Sequence, residues 1–283
     1  TSTPNAFNSL WGVGNGNAGY GQPYVDPVAE GETVLASNWA DLITKAGQAA
    51  GHQGSGITAI PKPGAGDTIR YLNTVASNVQ GLYTQRNNAV TQGTTSYHET
   101  ICGTAWTDRI VFTMTATFLT GDHARYFFNA GGKILVSYSL TSPTTTKATN
   151  WQTLCSQLGT SIFGANTLTR TGASGASPTV NLSSSGYWNL TTSYATWLQQ
   201  YNNSGVADYN TNYIQLQFKS NGVQGSNADV GSVVYCRGWN FMSSTMPRQK
   251  TKWQSIKISK KNIIRWFAER RFYPFPIGID ETR

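Results

Sequence analysis

Three histidines, three cysteines and thirteen acidic side chains hold the acid–base, nucleophilic and metal-ligating chemistry of this 283-residue chain. His52 stands in the Gly/Ser-rich run GHQGSG, His98 beside Glu99, and His123 beside Asp122. A hydrolytic triad needs a base within reach of an activated Ser or Cys, and an acid to orient that base. None of the three histidines adjoins a recognisable nucleophile motif. Cys102, Cys155 and Cys236 share no zinc-ligand spacing, and three thiols cannot all pair within one chain. They read as buried reduced thiols of a protein folded in a reducing cytoplasm. Glu30-Gly31-Glu32 is the one acidic cluster, and a catalytic carboxylate pair drawn from distant positions stays open. EF-hand spacing is absent. The expectation is no enzyme, no metal and no cofactor.

Gly14-Asn15-Gly16-Asn17-Ala18-Gly19 matches G-x-G-x-x-G as a string. A dinucleotide loop needs a hydrophobic strand before it and a helix opening within it. Here a polar segment precedes, and Tyr20-Gly21-Gln22-Pro23 follows. The better reading is a glycine-rich arm over residues 1–35, with Trp11, Tyr20 and Tyr24 as anchors laid over its own fold or a neighbour.

Charge points to the other end. Residues 247–283 hold ten of the 21 basic residues and three of the 13 acidic ones, so +7 of the net +8 lies there. Read as a helix, KKNIIRWFAERRF sets Ile263, Ile264, Trp266 and Phe267 against Lys260, Lys261, Arg265, Arg270 and Arg271. With Trp253 and Tyr273, these residues could grip nucleic acid or lie on a membrane surface. A docking arm whose apolar face enters a neighbouring subunit ranks ahead of both. Trp253, Ile263, Trp266, Phe267, Arg270 and Arg271 are its candidate contacts.

The elements between these ends are mostly strands. Ile110, Phe112, Met114, Ala116 and Phe118 alternate with polar and β-branched neighbours, the mark of a strand with one buried face. Thr120-Gly121-Asp122 offers an N-cap, HARYFFNA a short helix, and Gly131-Gly132 its stop. Alternation resumes through Ile134, Val136, Tyr138 and Leu140, and returns at Tyr213–Phe218 and 229–242. A helix is expected at 150–158, a weak strand at 166–170, and 187–201 is ambiguous. Upstream, helices are expected from Ser37 to about Gln48 and over 67–86, forming an αα-hairpin. Residues 87–108 read as polar loop. Strands without regular βαβ alternation argue for an antiparallel sandwich.

Three stretches, WGVGNGNAGYGQ, GHQGSGIT and ARYFFNAGGKI, resemble motifs of virion structural proteins of tailed bacteriophages, including those that infect cyanobacteria. The likeness spans about residues 7–245 with the motifs in order, and stops short of the basic tail. It implies a particle component and supplies no catalytic residues.

The combined expectation is a mainly β chain with minor α. An antiparallel, jelly-roll-like β-sandwich at 107–246 follows a helical hairpin and polar loop at 36–106, with extended arms at 1–35 and 247–283. Its role is a virion component of tail fibre, baseplate or neck, a homo-oligomer with a trimer favoured, joined to other virion proteins. The second reading is a carbohydrate-binding adhesin module touching a cell-surface glycan through Ser183–Tyr187 or Asn202–Tyr209. Nucleic acid ranks low as a partner. No run approaches the ~20 apolar residues of a membrane span. The start, TSTPNAFNSLW, has neither the basic nor the apolar region of a secretory signal, so synthesis in the host cytoplasm and residence in the virion are expected.

Overall fold

The computed structural model describes residues 3–68, 70–90, 95–102, 109–140, 143–174, 180–181, 186–222, 231–241, 253–261 and 279–280. The chain is mixed α/β with antiparallel sheets. It opens with α1 (Thr3–Trp11), α2 (Ala36–Gln53) and α3 (Leu72–Thr84). Then come β1 (Thr95–Cys102), β2 (Arg109–Thr117), α4 (Gly121–Asn129), β3 (Lys133–Leu140) and α5 (Thr146–Leu158). Strands β4 (Thr160–Phe163), β5 (Leu168–Thr171), β6 (Val180–Asn181) and β7 (Ala195–Tyr201) follow. The last are β8 (Tyr213–Ser220), β9 (Val233–Phe241), β10 (Trp253–Lys261) and β11 (Ile279–Asp280).

One sheet runs β1-β10-β3-β4-β5 and the other β11-β2-β9-β8-β7-β6. The alternation read from sequence is the burial pattern observed. Phe112, Met114, Ala116 and Phe118 are buried, as are Ile134, Val136, Tyr138 and Leu140 across from them. Both sheets feed one core: the Phe163 ring of β4 stacks on Phe218 of β8 with centroids 4.5 Å apart. Tyr138 of β3 reaches the backbone of β9 where Gly238 leaves room for its hydroxyl.

The α4 unit forms as the sequence suggests. Thr120 caps it, its hydroxyl accepting from the His123 amide, and Gly131 ends it in the left-handed region at φ 81°. Helix α5 starts four residues ahead of expectation and is capped by Thr145. Asn150 is buried and donates back to the Thr146 carbonyl.

Several expectations are corrected. The first arm is helical at its start rather than extended, and Phe7, Leu10 and Trp11 of α1 enter a second core with α2 and α3. Pro4 in its first turn is compatible with helix, since a proline there removes only an N–H that has no intrahelical partner. The α2–α3 pair is no hairpin. Gln53 Nε2 at the end of α2 donates to the Leu82 carbonyl at the end of α3, while Trp39 and Tyr71 line one groove at their starts. The helices therefore run the same way. The connection 54–71 is long enough to return along an 18-residue helix, which spans about 27 Å. Part of the polar loop, Thr95–Cys102, is β1. The basic end is not wholly a detached arm either, because β10 lies between β1 and β3 and pairs with both. Lys260 and Lys261, expected in a helix, belong to that strand, and the rest of the expected helix lies outside the described residues.

Candidate functional site

The polar side chains that sequence reading left unassigned converge where α4 meets the glycine loop. Arg125 is 2% exposed and donates from Nη1 to the Ala18 carbonyl at 2.8 Å. Its Nε and Nη2 reach the Asp122 carboxylate at 3.3 and 3.1 Å, and its guanidinium lies 4.6 Å from the Tyr126 ring centre. One turn on, the fully buried Asn129 donates to the carbonyls of Gly16 and Gly19 and accepts from Trp188 Nε1. Helical spacing of four puts Arg125 and Asn129 on one face, so both meet the same loop.

The loop suits this role because it is glycine-rich. Gly14, Gly16 and Gly19 have φ of 58°, 55° and 100°, which turns successive carbonyls inward. A phosphate loop presents N–H donors to an anion. This loop presents carbonyl acceptors to cationic and amide donors, the opposite polarity. The G-x-G-x-x-G string is thus a structural loop. Gly21, at φ 70°, lies against the Tyr126 ring, leaving no room for a side chain.

The other motif joins at the same place. His52 is buried, and its Nε2–H donates to the Ala130 carbonyl at 3.0 Å. Burial lowers its pKa, and the carbonyl it faces offsets part of that effect. Gln53 Nε2 donates to the Tyr20 hydroxyl, which itself donates to the Arg86 carbonyl. Burial pushes the Tyr20 hydroxyl far above its ordinary pKa, so it stays a donor. Asn8 closes the arm by bonding both the amide and the carbonyl of Val25.

The anchors expected in the first arm therefore separate. Trp11 and Tyr20 are buried in their own chain, whereas Tyr24 is 51% exposed. Trp253 opens β10 opposite Leu140, and Ile263, Trp266, Phe267, Arg270 and Arg271 lie outside the described residues. Of the loops suggested for sugar contact, each is tied to the body at one end, while residues 205–208 of the second are exposed. Tyr187 is fully buried and stacks on Phe128, and Asn202 donates to the Asn150 carbonyl. Ser183 lies outside the described residues. The Cys155 and Cys236 thiols are free and buried, and burial raises both pKa values. His123 Nδ1 lies 2.7 Å from the Thr120 hydroxyl at the start of α4.

A second feature was not legible from sequence. A groove of about 250 Å³ opens between the start of α2 and the 54–71 connection. Trp39 and Tyr71 line it, with Ile43 and Ile60, and Lys62, Asp67 and Arg70 supply its charges. Its parts come from two segments about 20 residues apart, so no single motif announces it. Among the described residues no helix is long and apolar enough to cross a membrane, and no group of three His, Cys, Asp or Glu gathers as a metal site. Comparison with family models, with curated proteins and with solved structures finds no match for this chain.

Proposed function

We propose that this chain is a structural component of a tailed-phage virion, in the tail fibre, baseplate or neck. It acts as one copy of a symmetric homo-oligomer, a trimer first, alongside other virion proteins. The observation that carries this reading is how the three virion-like motifs are used. Arg125 and Asn129 of ARYFFNAGGKI hold the carbonyls of Gly16, Ala18 and Gly19 in WGVGNGNAGYGQ. His52 and Gln53 of GHQGSGIT hold Ala130 and Tyr20. Side chains bonded to each other's backbones fix a shape, and fixing a shape is what a particle subunit needs of its signature residues. Contacts between copies fall to surface groups such as Tyr24 and to the C-terminal segment, since Trp11 and Tyr20 are enclosed.

In this reading the two sheets are the layers of a β-sandwich. The stacking of Phe163 on Phe218 supports face-to-face packing. The outer pairs β1–β10 and β2–β9 nest as in a rolled long hairpin, the jelly-roll manner, whereas β3-β4-β5 and β7-β8-β9 meander. Quantitative mass spectrometry of purified particles tests the proposal. A fixed copy number, in multiples of three for a trimer, supports it. A chain found in infected cells but missing from finished particles overturns it.

A further inference from the structure

The groove beside α2 has a charge balance that its own chain leaves open. Lys62 and Arg70 are exposed, and neither takes part in the Lys45–Asp41 or the Arg125–Asp122 ion pair. Asp67 Oδ2 accepts from the Gly64 amide at 2.7 Å, which leaves Oδ1 as an acceptor. Pro61 and Pro63 flank Lys62 and fix the backbone that carries it. The site thus joins two cations, one half-engaged carboxylate and two aromatic rings, Trp39 and Tyr71.

We propose that this groove binds an acidic saccharide. One pyranose ring would lay its apolar C–H face on the exposed Tyr71, beside Trp39, with its carboxylate or sulfate on Arg70 and Lys62 and a hydroxyl on Asp67. Aromatic rings offer the flat apolar partner that a pyranose face needs. Arg gives the forked pair of donors that an anionic group takes up. An extended peptide fits less well, since it gains its main-chain bonds from an open strand edge. Here the walls are a helix, already bonded within itself, and a turn-rich connection. The volume of about 250 Å³ falls below the ~300 Å³ lower bound usual for drug-sized ligands, and suits one or two sugar rings. This binding site is independent of particle assembly, and failure of either proposal leaves the other standing.

The test is an array of neutral, carboxylated and sulfated glycans probed with the full chain, followed by calorimetry on the best binder. Two variants accompany it, the double substitution Lys62→Gln/Arg70→Gln and Tyr71→Ala. All three side chains are exposed, so an unchanged Tm shows that the fold is kept. The expected result is binding of acidic glycans of either kind, with neutral counterparts and the double variant each weaker by about tenfold or more. Tyr71→Ala weakens binding as well, and added salt weakens it progressively. No glycan above background, equal binding of neutral and acidic glycans, or an unchanged Kd in either variant would each overturn the proposal.

Discussion

Arg125 Nη1 donates to the Ala18 carbonyl over 2.8 Å, joining residues 107 positions apart in the chain. With Asn129 it fastens the first segment to the strand–helix–strand centre. Arg125→Met removes the donor and leaves a buried carbonyl without its partner, at a cost of about 2–3 kcal/mol. Urea unfolding reads that loss, and hydrogen exchange at 14–19 should quicken. Arg125→Lys does not restore it, because one ammonium cannot span Asp122 and Ala18 together. Unchanged exchange at 14–19 in both variants would contradict the fastening role.

Gly238 sits in the middle of β9 where the Tyr138 hydroxyl of the other sheet occupies the place of a side chain. Gly238→Ala therefore overpacks the core and costs about 1–3 kcal/mol. The Tyr138 hydroxyl is buried without a hydrogen-bond partner among the described residues, so Tyr138→Phe stays within about 1 kcal/mol of the parent. Combining the two restores most of the stability lost by the first. A double variant as unstable as Gly238→Ala alone would show that something other than this hydroxyl demands the glycine.

The pH response should carry a signature of His52. Its folded pKa lies below the ordinary 6.5, chiefly through burial. Below about pH 6.5 the unfolded chain takes a proton that the folded ring refuses, so stability falls as pH drops toward the folded value and is flat above. His52→Gln keeps a donor for Ala130 and has no such titration. Melting curves between about pH 7.5 and pH 5 should show a steeper loss in the parent than in this variant. Equal slopes would remove His52 as the cause.

Removing the basic end should damage the fold as well as the charge. Strand β10 pairs with β1 on one side and β3 on the other, so a chain ending at 246 leaves two open strand edges. Such edges pair with other chains. The truncated protein is expected to aggregate on expression, read by its soluble fraction, whereas neutralising substitutions at Lys257 and Lys260 leave it soluble. A soluble, cooperatively melting truncation would contradict the pairing.

The strands legible in the sequence are those with one buried and one wet face. The alternation of Phe112, Met114 and Ala116, and of Ile214, Leu216 and Phe218, follows from that asymmetry. Strand β1 was missed because TSYHETIC is nearly all polar, and its place depends on β10, some 150 residues on. The direction of α3 was missed because periodicity gives a buried face and says nothing of sense. Arg125 and Asn129 passed unnoticed for a related reason. A spacing of four marks a shared face, but only the folded loop shows that the face meets carbonyls. A buried Arg one turn before a buried Asn, opposite a glycine-rich run, is the pattern that could have found them.

The mass of the full chain in solution tests the building-block account most directly. Sedimentation velocity at micromolar concentration should show a discrete oligomer of the 30.7 kDa chain, three-fold if the trimer is right. A single monomeric species, unchanged up to the highest soluble concentration and after mixing with isolated particle proteins, would contradict it.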